Sequence, residues 1–202
     1  MLDVYNIAPR VVVYPFGSAP PTLEEGGLAL AQLPRQADHP AVFGDGSHAT
    51  TRLCAAAVDL MCRQRRPRSV LDVGTGTGIL ARIARARGAS TVMGTDIDPD
   101  ALSSALANSN LDPYPLSIAF NQESPDQLGA SFDLVVANIL EAPLHFLAPA
   151  LSRALRPGGM LLLSGFTRPQ APALHVQYER LGLTFVQESV LEGWVLLLFR
   201  AG

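Results

Sequence analysis

The sequence contains no lysine: all 15 basic side chains among its 202 residues are arginine. This absence excludes enzymes that depend on a lysine amine, such as Schiff-base and pyridoxal-phosphate enzymes and P-loop nucleotide hydrolases. Long hydrophobic runs are also absent, because no stretch approaches the roughly 18–20 apolar residues that cross a bilayer. The N-terminal segment lacks the basic-then-apolar layout of a signal peptide. We therefore expect a cytoplasmic protein with no membrane partner.

Cysteine and charge are also scarce. The two cysteines, Cys54 and Cys62, are about 12 Å apart on a predicted helix, which is too far for a disulfide. The histidines show no ligand spacing, so we predict no metal site. Charged residues make up 16% of the chain and its net charge is −3. This balance offers no attraction to nucleic acid, so we expect no direct nucleic-acid binding.

Residues 1–41 differ in composition from the rest of the chain. They are rich in proline and hold two short β-like runs, Val11–Tyr14 and Leu28–Leu33, around the Pro20-Pro21 turn. This segment is too short for a core of its own. We interpret residues 1–41 as an N-terminal extension or linker hairpin and residues 42–202 as a single domain.

The domain alternates strands with helices, which predicts an α/β, doubly wound, mostly parallel Rossmann-like sheet. The sheet has seven strands, and its last two form an antiparallel hairpin around Leu191-Glu192-Gly193. The predicted helices are Ser47–Gln64, a segment ending near Arg87, Pro99–Ser109, Glu141–Leu155 and Gln170–Leu181. The predicted strands are Ser69–Val73, Thr91–Thr95, Leu116–Phe120, Phe132–Ala137, Met160–Ser164, Leu183–Val190 and Trp194–Arg200.

Three alternating glycines, Gly74, Gly76 and Gly78, lie between the first of these strands and the following helix. Glycine lets the backbone approach a ligand closely, and a helix N-terminus carries partial positive charge. Asp96 follows the next strand, where an acidic side chain can accept hydrogen bonds from ribose hydroxyls. The pattern predicts a site for an adenosine derivative, although a tight turn with an incidental acid would look similar.

Two cofactors fit this pattern. The spacing Gly76-x-Gly78-x-x-Ala81 satisfies the dinucleotide fingerprint of nicotinamide enzymes. Asp72, however, stands just before the loop, where a carboxylate suits an amino acid's ammonium group better than a pyrophosphate. We therefore favour S-adenosylmethionine and count Asp72 among the cofactor-binding residues.

Asn138-Ile139-Leu140 directly follows the fourth strand and provides the second signal. This position lies across the sheet's switch point from the glycine loop. The amide oxygen of Asn138 can accept a hydrogen bond from a substrate amine and orient it for in-line methyl transfer. The alternative is a turn-forming asparagine at a strand end.

With the segment Val42–Thr51 added, the chain from about Val42 to Arg200 resembles a known family. It is similar to the methyltransferases of ribosomal large-subunit protein eleven, which methylate lysine and N-terminal amines with S-adenosylmethionine. The segments that carry the resemblance are Val42–Thr51, the glycine loop, Asp96–Pro99, Val136–Leu140, Arg156–Gly159, Leu163–Gly165 and Glu192–Val195.

The resemblance implies roles for particular residues. Thr51, Gly74, Asp96 and Asn138 match the family's cofactor-contacting positions, and the other two loop glycines complete the loop. Asp96 would hold the ribose. Asn138 would lie near the transferred methyl and orient the amine, which makes it the catalytic residue. Glu123 is either a contact to the adenine or a solvated loop acid.

The sequence departs from the family pattern in two ways. The family's N-terminal domain, which docks the ribosomal substrate, has no room here, and residues 1–41 resemble only the linker that follows it. The family's Phe-Gly-Thr-Gly is Phe-Gly-Asp-Gly here. Asp45 thus places a carboxylate in the active-site loop, which would either repel the cofactor's own carboxylate or engage a cationic substrate.

Other residues have plainer interpretations. We expect His48 to order its loop by a hydrogen bond, Trp194 to pack in the closing hairpin, and Phe146 to lie in the core. The basic cluster Arg63–Arg68 fits a solvated helix C-terminus as well as a contact with ribosomal RNA, and we favour the former.

The expected function is methyl transfer to a protein amine, with a ribosomal protein as the favoured partner. Adenine and glutamine methyltransferases follow the asparagine with Pro-Pro and an aromatic residue, which Ile139-Leu140-Glu141 does not provide. A cofactor-binding protein without catalysis and a methyltransferase with another substrate remain as alternatives.

Overall fold

The computed structural model describes residues 4–34, 42–112 and 118–202. Its helices are α1 (Ala49–Arg65), α2 (Ile79–Ala86), α3 (Pro99–Ser109), α4 (Glu141–Arg153) and α5 (Ala171–Arg180). Its strands are β1 (Tyr5–Ala8), β2 (Val11–Pro15), β3 (Leu28–Gln32), β4 (Ser69–Val73), β5 (Thr91–Thr95), β6 (Ala119–Asn121), β7 (Phe132–Asn138), β8 (Leu155–Thr167), β9 (Thr184–Leu191) and β10 (Trp194–Arg200).

Seven of these strands form one sheet in the order β6-β5-β4-β7-β8-β10-β9. The first five are parallel, and β10 runs antiparallel to both β8 and β9. The predicted fold class is confirmed, including the closing hairpin. The strand order reverses between β4 and β7, which places the switch point between their carboxyl ends.

Two predicted strands differ from the observed ones by more than one residue at an end, while β7 and β9 differ by a single residue. β8 already begins at Leu155, before the Pro157-Gly158-Gly159 segment, because Phe132 of β7 pairs with it there. The third strand of the large sheet covers Ala119–Asn121. The predicted start of that strand, at residues 116 and 117, falls outside the described residues.

The N-terminal runs do not form the predicted hairpin with each other. β2 and β3 pair in parallel, with Val11 opposite Leu28 and Val13 opposite Leu30. The antiparallel partner of β2 is instead β1, a strand that the sequence pattern did not reveal. Parallel pairing is possible because the chain between β2 and β3 returns to its starting edge before entering β3.

Parallel pairing also directs the apolar side chains of both strands into one core. Val11, Val13, Leu28 and Leu30 are buried together with α1 and α2 residues on one face of the large sheet. The opposite face is covered by α4 and α5, whose Leu144, Leu151, Leu174 and Tyr178 are all fully buried. The sheet is therefore covered on both faces, as a parallel sheet requires.

Candidate functional site

A cavity of about 740 Å³ opens at the carboxyl ends of β4, β5 and β7. It lies at the switch point, where ligands bind in open α/β sheets. Its volume falls within the range of about 300–1,000 Å³ that is typical of small-molecule sites. Five of the residues singled out from the sequence line it: Gly74, Gly76, Asp96, Glu123 and Asn138.

The glycine loop has positive φ at each of its three glycines, with 71° at Gly74, 53° at Gly76 and 80° at Gly78. A Cβ at Gly74 would lie 2.2 Å from Ile139 Cγ2, and one at Gly76 would lie 2.3 Å from Phe43 O. Both glycines thus allow neighbouring cavity segments to approach the loop. Gly78 does not line the cavity; it is the N-cap of α2 and faces Ala105 of α3.

Asp96 is held in place by the glycine loop. Its Oδ2 accepts a hydrogen bond from Gly76 N at 2.9 Å, and its Oδ1 accepts one from Asp98 N at 3.1 Å. The side chain is half-buried and lines the cavity. A carboxylate fixed in this way has lone pairs left for the hydroxyls of a ligand.

Asp72 and Thr51 lie beneath the cavity rather than on its wall. Asp72 Oδ2 accepts hydrogen bonds from Thr75 Oγ1 at 2.8 Å and from Ala81 N at 3.2 Å, which ties the loop to α2. Asp72 Oδ1 and Thr51 Oγ1 are buried and find no hydrogen-bond partner within the described ranges. The predicted contact of these two residues with a ligand stays a prediction, and Thr50 lines the cavity in place of Thr51.

The buried carboxyl of Asp72 predicts a pH dependence of stability. Burial raises its pKa from 3.8 to about 6, although hydrogen bonds from Thr75 and Ala81 oppose the change. Because the folded protein holds this proton more tightly than the unfolded chain, the stabilisation is complete below about pH 4. It is lost as the pH rises through about 6, and a shift of this size corresponds to about 3 kcal/mol. Asp72→Asn should abolish this loss when urea unfolding of the ligand-free protein is followed between these pH values.

Asp133 provides a control, because its pKa is shifted in the opposite direction from that of Asp72. Partial burial alone would raise its pKa, but hydrogen bonds from Ser69, Arg68 and Arg156 outweigh burial and lower the pKa. Its stabilisation is therefore present above the unfolded pKa and lost as the pH falls. Asp133→Asn should weaken the protein at neutral pH. If the free energy of unfolding depended on pH in the same way in wild type and in Asp72→Asn, the raised pKa of Asp72 would be contradicted.

The loop before α1 closes over the glycine loop. Thr77 N donates to Phe43 O at 3.0 Å, and Thr77 Oγ1 donates to Gly44 O at 2.6 Å. Asn108 of α3 connects this contact to the residue that follows β3. Its Nδ2 donates to Thr77 O at 3.1 Å, and its Oδ1 accepts from Leu33 N at 3.0 Å. The glycine loop is thereby connected to two segments distant in sequence.

Asp45 does not enter the cavity. It is buried, and its Oδ1 accepts hydrogen bonds from Ser47 N at 3.0 Å and Ser47 Oγ at 2.6 Å. An Asx turn of this kind is a common use of aspartate in a tight loop. The expected influence of this carboxylate on the cofactor or the substrate stays a prediction, because Asp45 is not among the residues that line the cavity.

His48 caps α1, because its Nδ1 accepts from Thr50 N and lies 2.8 Å from Thr50 Oγ1. Its ring lies edge-on to Phe43 and to Trp194, with centroid distances of 5.2 and 4.7 Å. This hydrogen bond orders the loop, as expected. Trp194 does more than pack in the closing hairpin: together with Phe43 and His48 it lines one wall of the cavity.

Asn138 ends β7 at the opposite wall. Its Oδ1 is buried and has no hydrogen-bond partner in the described part of the chain. The backbone after it is held by Gly165, whose φ is 102° and whose hypothetical Cβ would lie 2.0 Å from Ile139 O. An acceptor of this kind carries a desolvation cost unless a ligand donates to it. Asn138 therefore combines a place on the cavity wall with an acceptor that no described residue satisfies.

Exposed apolar side chains surround the mouth of the cavity. Ile97 is 91% exposed and Leu140 72% exposed, and both line the cavity. Phe146 on α4 is 84% exposed, so its expected place in the core is wrong. The neighbouring α4 positions Leu144 and Leu147 supply the apolar contacts instead. Sequence reasoning missed Ile97 as a site residue, although its place directly after Asp96 was a signal.

In residues 4–34, 42–112 and 118–202, no three His, Cys, Asp or Glu side chains are arranged to hold a metal ion. The same ranges contain no helix with the length and apolar character that crossing a bilayer requires.

This sheet and cavity define the Rossmann-like methyltransferase fold. The N-methyltransferase NodS from Bradyrhizobium japonicum WM9, solved with S-adenosyl-L-homocysteine, shares the fold with a TM-score of 0.60 at 16% identity, over 77% of this chain and 89% of that chain. The chain belongs to the ribosomal protein L11 methyltransferase (PrmA) family, whose model matches residues 10–201.

Individual relatives agree with this assignment. The ribosomal protein L11 methyltransferase of Bradyrhizobium diazoefficiens is 40% identical over 163 residues, covering 78% of this chain and 55% of the relative. The one from Burkholderia vietnamiensis is 42% identical over 158 residues, covering 77% and 50%. The chain thus spans about half the length of the curated relatives it matches. The solved ribosomal protein L11 methylase from Lactobacillus delbrueckii subsp. bulgaricus superposes with a TM-score of 0.85 at 27% identity, over 98% of this chain and 99% of that chain.

Proposed function

We propose that this chain transfers a methyl group from S-adenosylmethionine to an amine nitrogen of a protein, with ribosomal protein L11 as the favoured substrate. The observation that carries the proposal is Asn138, which lines the cavity across the switch point from the glycine loop and whose buried Oδ1 has no hydrogen-bond partner among the described residues. The substrate is suggested by the family and by the names of the relatives. A ribosomal substrate would also place the protein in the cytoplasm.

The residues present fit this cofactor. Asp96 offers fixed carboxylate lone pairs for ribose hydroxyls, and the exposed side chain of Ile97 offers an apolar surface for a purine. The positive φ angles of Gly74 and Gly76 keep side chains out of the space beside the loop. The unpartnered atoms Thr51 Oγ1 and Asp72 Oδ1 beneath the loop are acceptors that an ammonium group could satisfy through a small adjustment of the loop.

The chemistry supplied by the cofactor is an electrophilic methyl on a sulfonium. The substrate nitrogen forms the new C–N bond as the C–S bond breaks, and the bonding pair returns to sulfur. The contribution of Asn138 is to accept a hydrogen bond from the amine N–H, which directs the nitrogen lone pair along the line of transfer. Since the transfer needs alignment within a narrow angle, positioning provides a large part of the rate enhancement.

The amine must be neutral before it attacks, while a lysine amine has an ordinary pKa near 10.4. The aromatic wall of Phe43, His48 and Trp194 favours the neutral form by excluding water from the amine. His48 Nδ1 is engaged in capping α1, so we assign His48 no proton transfer. The proton leaves the amine to solvent before transfer.

The test is incubation of the purified chain with labelled S-adenosylmethionine and ribosomal protein L11 from cells that lack the methyltransferase. We expect label on lysine or N-terminal amines of L11. Because the chain has no lysine, its own background is confined to its N-terminal amine. Tight binding of S-adenosylhomocysteine with no transfer to any ribosomal protein would overturn the proposal. Thermal stabilisation by NAD and none by S-adenosylhomocysteine would overturn the choice of cofactor.

A further inference from the structure

A second concave site lies at the opposite end of the large sheet from the cavity. It has a volume of about 360 Å³ and is lined by the end of α1, the Arg66–Arg68 segment that leads into β4, the start of β7, and the Pro157–Met160 segment of β8. Asp133 at this end and Asn138 at the other are five residues apart on β7, which corresponds to about 17 Å. The two sites therefore do not overlap.

Arginine dominates this second site. Arg65, Arg66 and Arg68 line it and are exposed. Arg156 reaches it through an ion pair with Asp133 at 3.2 Å. Arg200 pairs with Met160, which lines the site, and directly paired residues point to the same face of a sheet. We call these five residues the arginine cleft.

The charge of the arginine cleft is largely unneutralised. Among the described residues, Arg65, Arg66, Arg68 and Arg200 have no acidic partner within ion-pair distance. The only acid that lines the site, Asp133, already accepts hydrogen bonds from Arg68 N, Ser69 N and Ser69 Oγ. The cleft therefore presents a concentration of positive charge on a chain whose net charge is −3.

The backbone at Arg66 is a second, independent observation. Arg66 ends α1 in the left-handed conformation, with φ 49° and ψ 55°. Glycine is the usual residue at this position, since it adopts the conformation without strain. Residues other than glycine held in this region are concentrated at functional sites. Arg66 therefore occupies a position where glycine would be less strained, at the entrance to the cleft that it lines.

We propose that the arginine cleft binds the phosphate backbone of single-stranded RNA. Guanidinium groups match phosphate geometry better than any other side chain, and several along one groove follow a polymer of phosphates. The concave shape argues against a flat membrane surface, and the small volume argues against a duplex. The net charge gave no sign of this site because it sums over the whole chain. The basic cluster Arg63–Arg68 was visible in the sequence, but only the fold brings Arg156 and Arg200 to it.

Fluorescence anisotropy with a short labelled single-stranded RNA tests the proposal. Saturating S-adenosylhomocysteine keeps the first cavity occupied in every arm. With five phosphate contacts we expect the logarithm of the association constant to fall with the logarithm of salt at a slope of about −3.5. The double variant Arg66→Gln/Arg68→Gln should bind about tenfold more weakly, with a slope near −2. The matched control Arg168→Gln, an exposed arginine outside the cleft, should bind like wild type.

Arg66→Gly separates a binding role from a structural one. It relieves the left-handed strain, so we expect the melting temperature to rise by about 2–4 °C while RNA affinity falls. Unchanged RNA affinity in this variant or in the double variant would overturn the proposal, as would failure of the wild type to bind RNA.

Two other ligands are tested in the same assay. If a free nucleoside monophosphate competed as well as RNA, the ligand would be a small phosphate compound. Cleft-dependent binding to phosphatidylserine vesicles without RNA binding would show that it is a membrane, and either result would also overturn the proposal. None of these outcomes depends on methyl transfer.

Discussion

Replacing Asn138 with alanine is expected to lower the turnover number for protein methylation by about two to three orders of magnitude. In the proposed mechanism the change removes the acceptor that aligns the substrate nitrogen, and it leaves the glycine loop and Asp96 in place. Affinity for S-adenosylhomocysteine should therefore change little, within about threefold. Single-turnover kinetics with labelled cofactor, combined with calorimetric titration of S-adenosylhomocysteine, measure the two quantities separately.

Two further variants make this test specific. Asn138→Asp keeps an oxygen acceptor of similar size and should recover part of the rate, because a carboxylate can also accept from the amine. Asn110→Ala removes an exposed asparagine at the end of α3 and should leave both quantities unchanged. Wild-type turnover in Asn138→Ala would remove this residue from the mechanism, whereas a large loss of cofactor affinity would make it a binding residue.

The second large effect is expected at Gly165. An added Cβ would lie 2.0 Å from Ile139 O and 2.6 Å from Ile139 C, both backbone atoms. Backbone cannot move aside as a flexible side chain can, and the φ of 102° adds strain of its own. Gly165→Ala should lower the free energy of unfolding by about 3 kcal/mol or more. It should also reduce methylation strongly, because the displaced segment directly follows Asn138.

Gly88 serves as the matched control for Gly165. Its φ is 99°, nearly the same, but nothing lies within 4 Å of its hypothetical Cβ. Gly88→Ala should therefore cost only the conformational strain, about 1–2 kcal/mol, and should not affect methylation. If urea unfolding finds equal losses for the two variants, the close approach of Ile139 is not what requires glycine at position 165.

The periodic part of the fold was predictable from the sequence. β4, β5 and β10 have the predicted bounds, because continuous apolar runs between glycine and proline breaks are a strong local signal. Gly74, Gly76, Asp96 and Asn138 were predictable for a related reason. Parallel strands all end at the same edge of a sheet, so residues that directly follow them must meet there.

The remaining features depend on contacts that no local pattern encodes. The two N-terminal runs predicted a hairpin, whereas β2 and β3 pair in parallel and bury their apolar side chains in the core shared with α1 and α2. Phe146 occupies an apolar helical pattern, yet α4 turns its other face to the sheet. The hydrogen bonds from Ser47 to Asp45 are a local contact that the motif alone did not reveal. These outcomes were set by tertiary packing and by local hydrogen bonding rather than by periodicity.

The link through Asn108 also governs the order in which the protein can mature during synthesis. Leu33 and Asn108 are separated by 75 positions, and a ribosome adds about 5–20 residues per second. The N-terminal strands therefore leave the ribosome about 4–15 seconds before their partner on α3 exists. The glycine loop, whose Thr77 O accepts a hydrogen bond from the same Asn108 amide, reaches its final form only after that delay. A slow codon between the two segments would lengthen the interval in which Leu33 N lacks this partner.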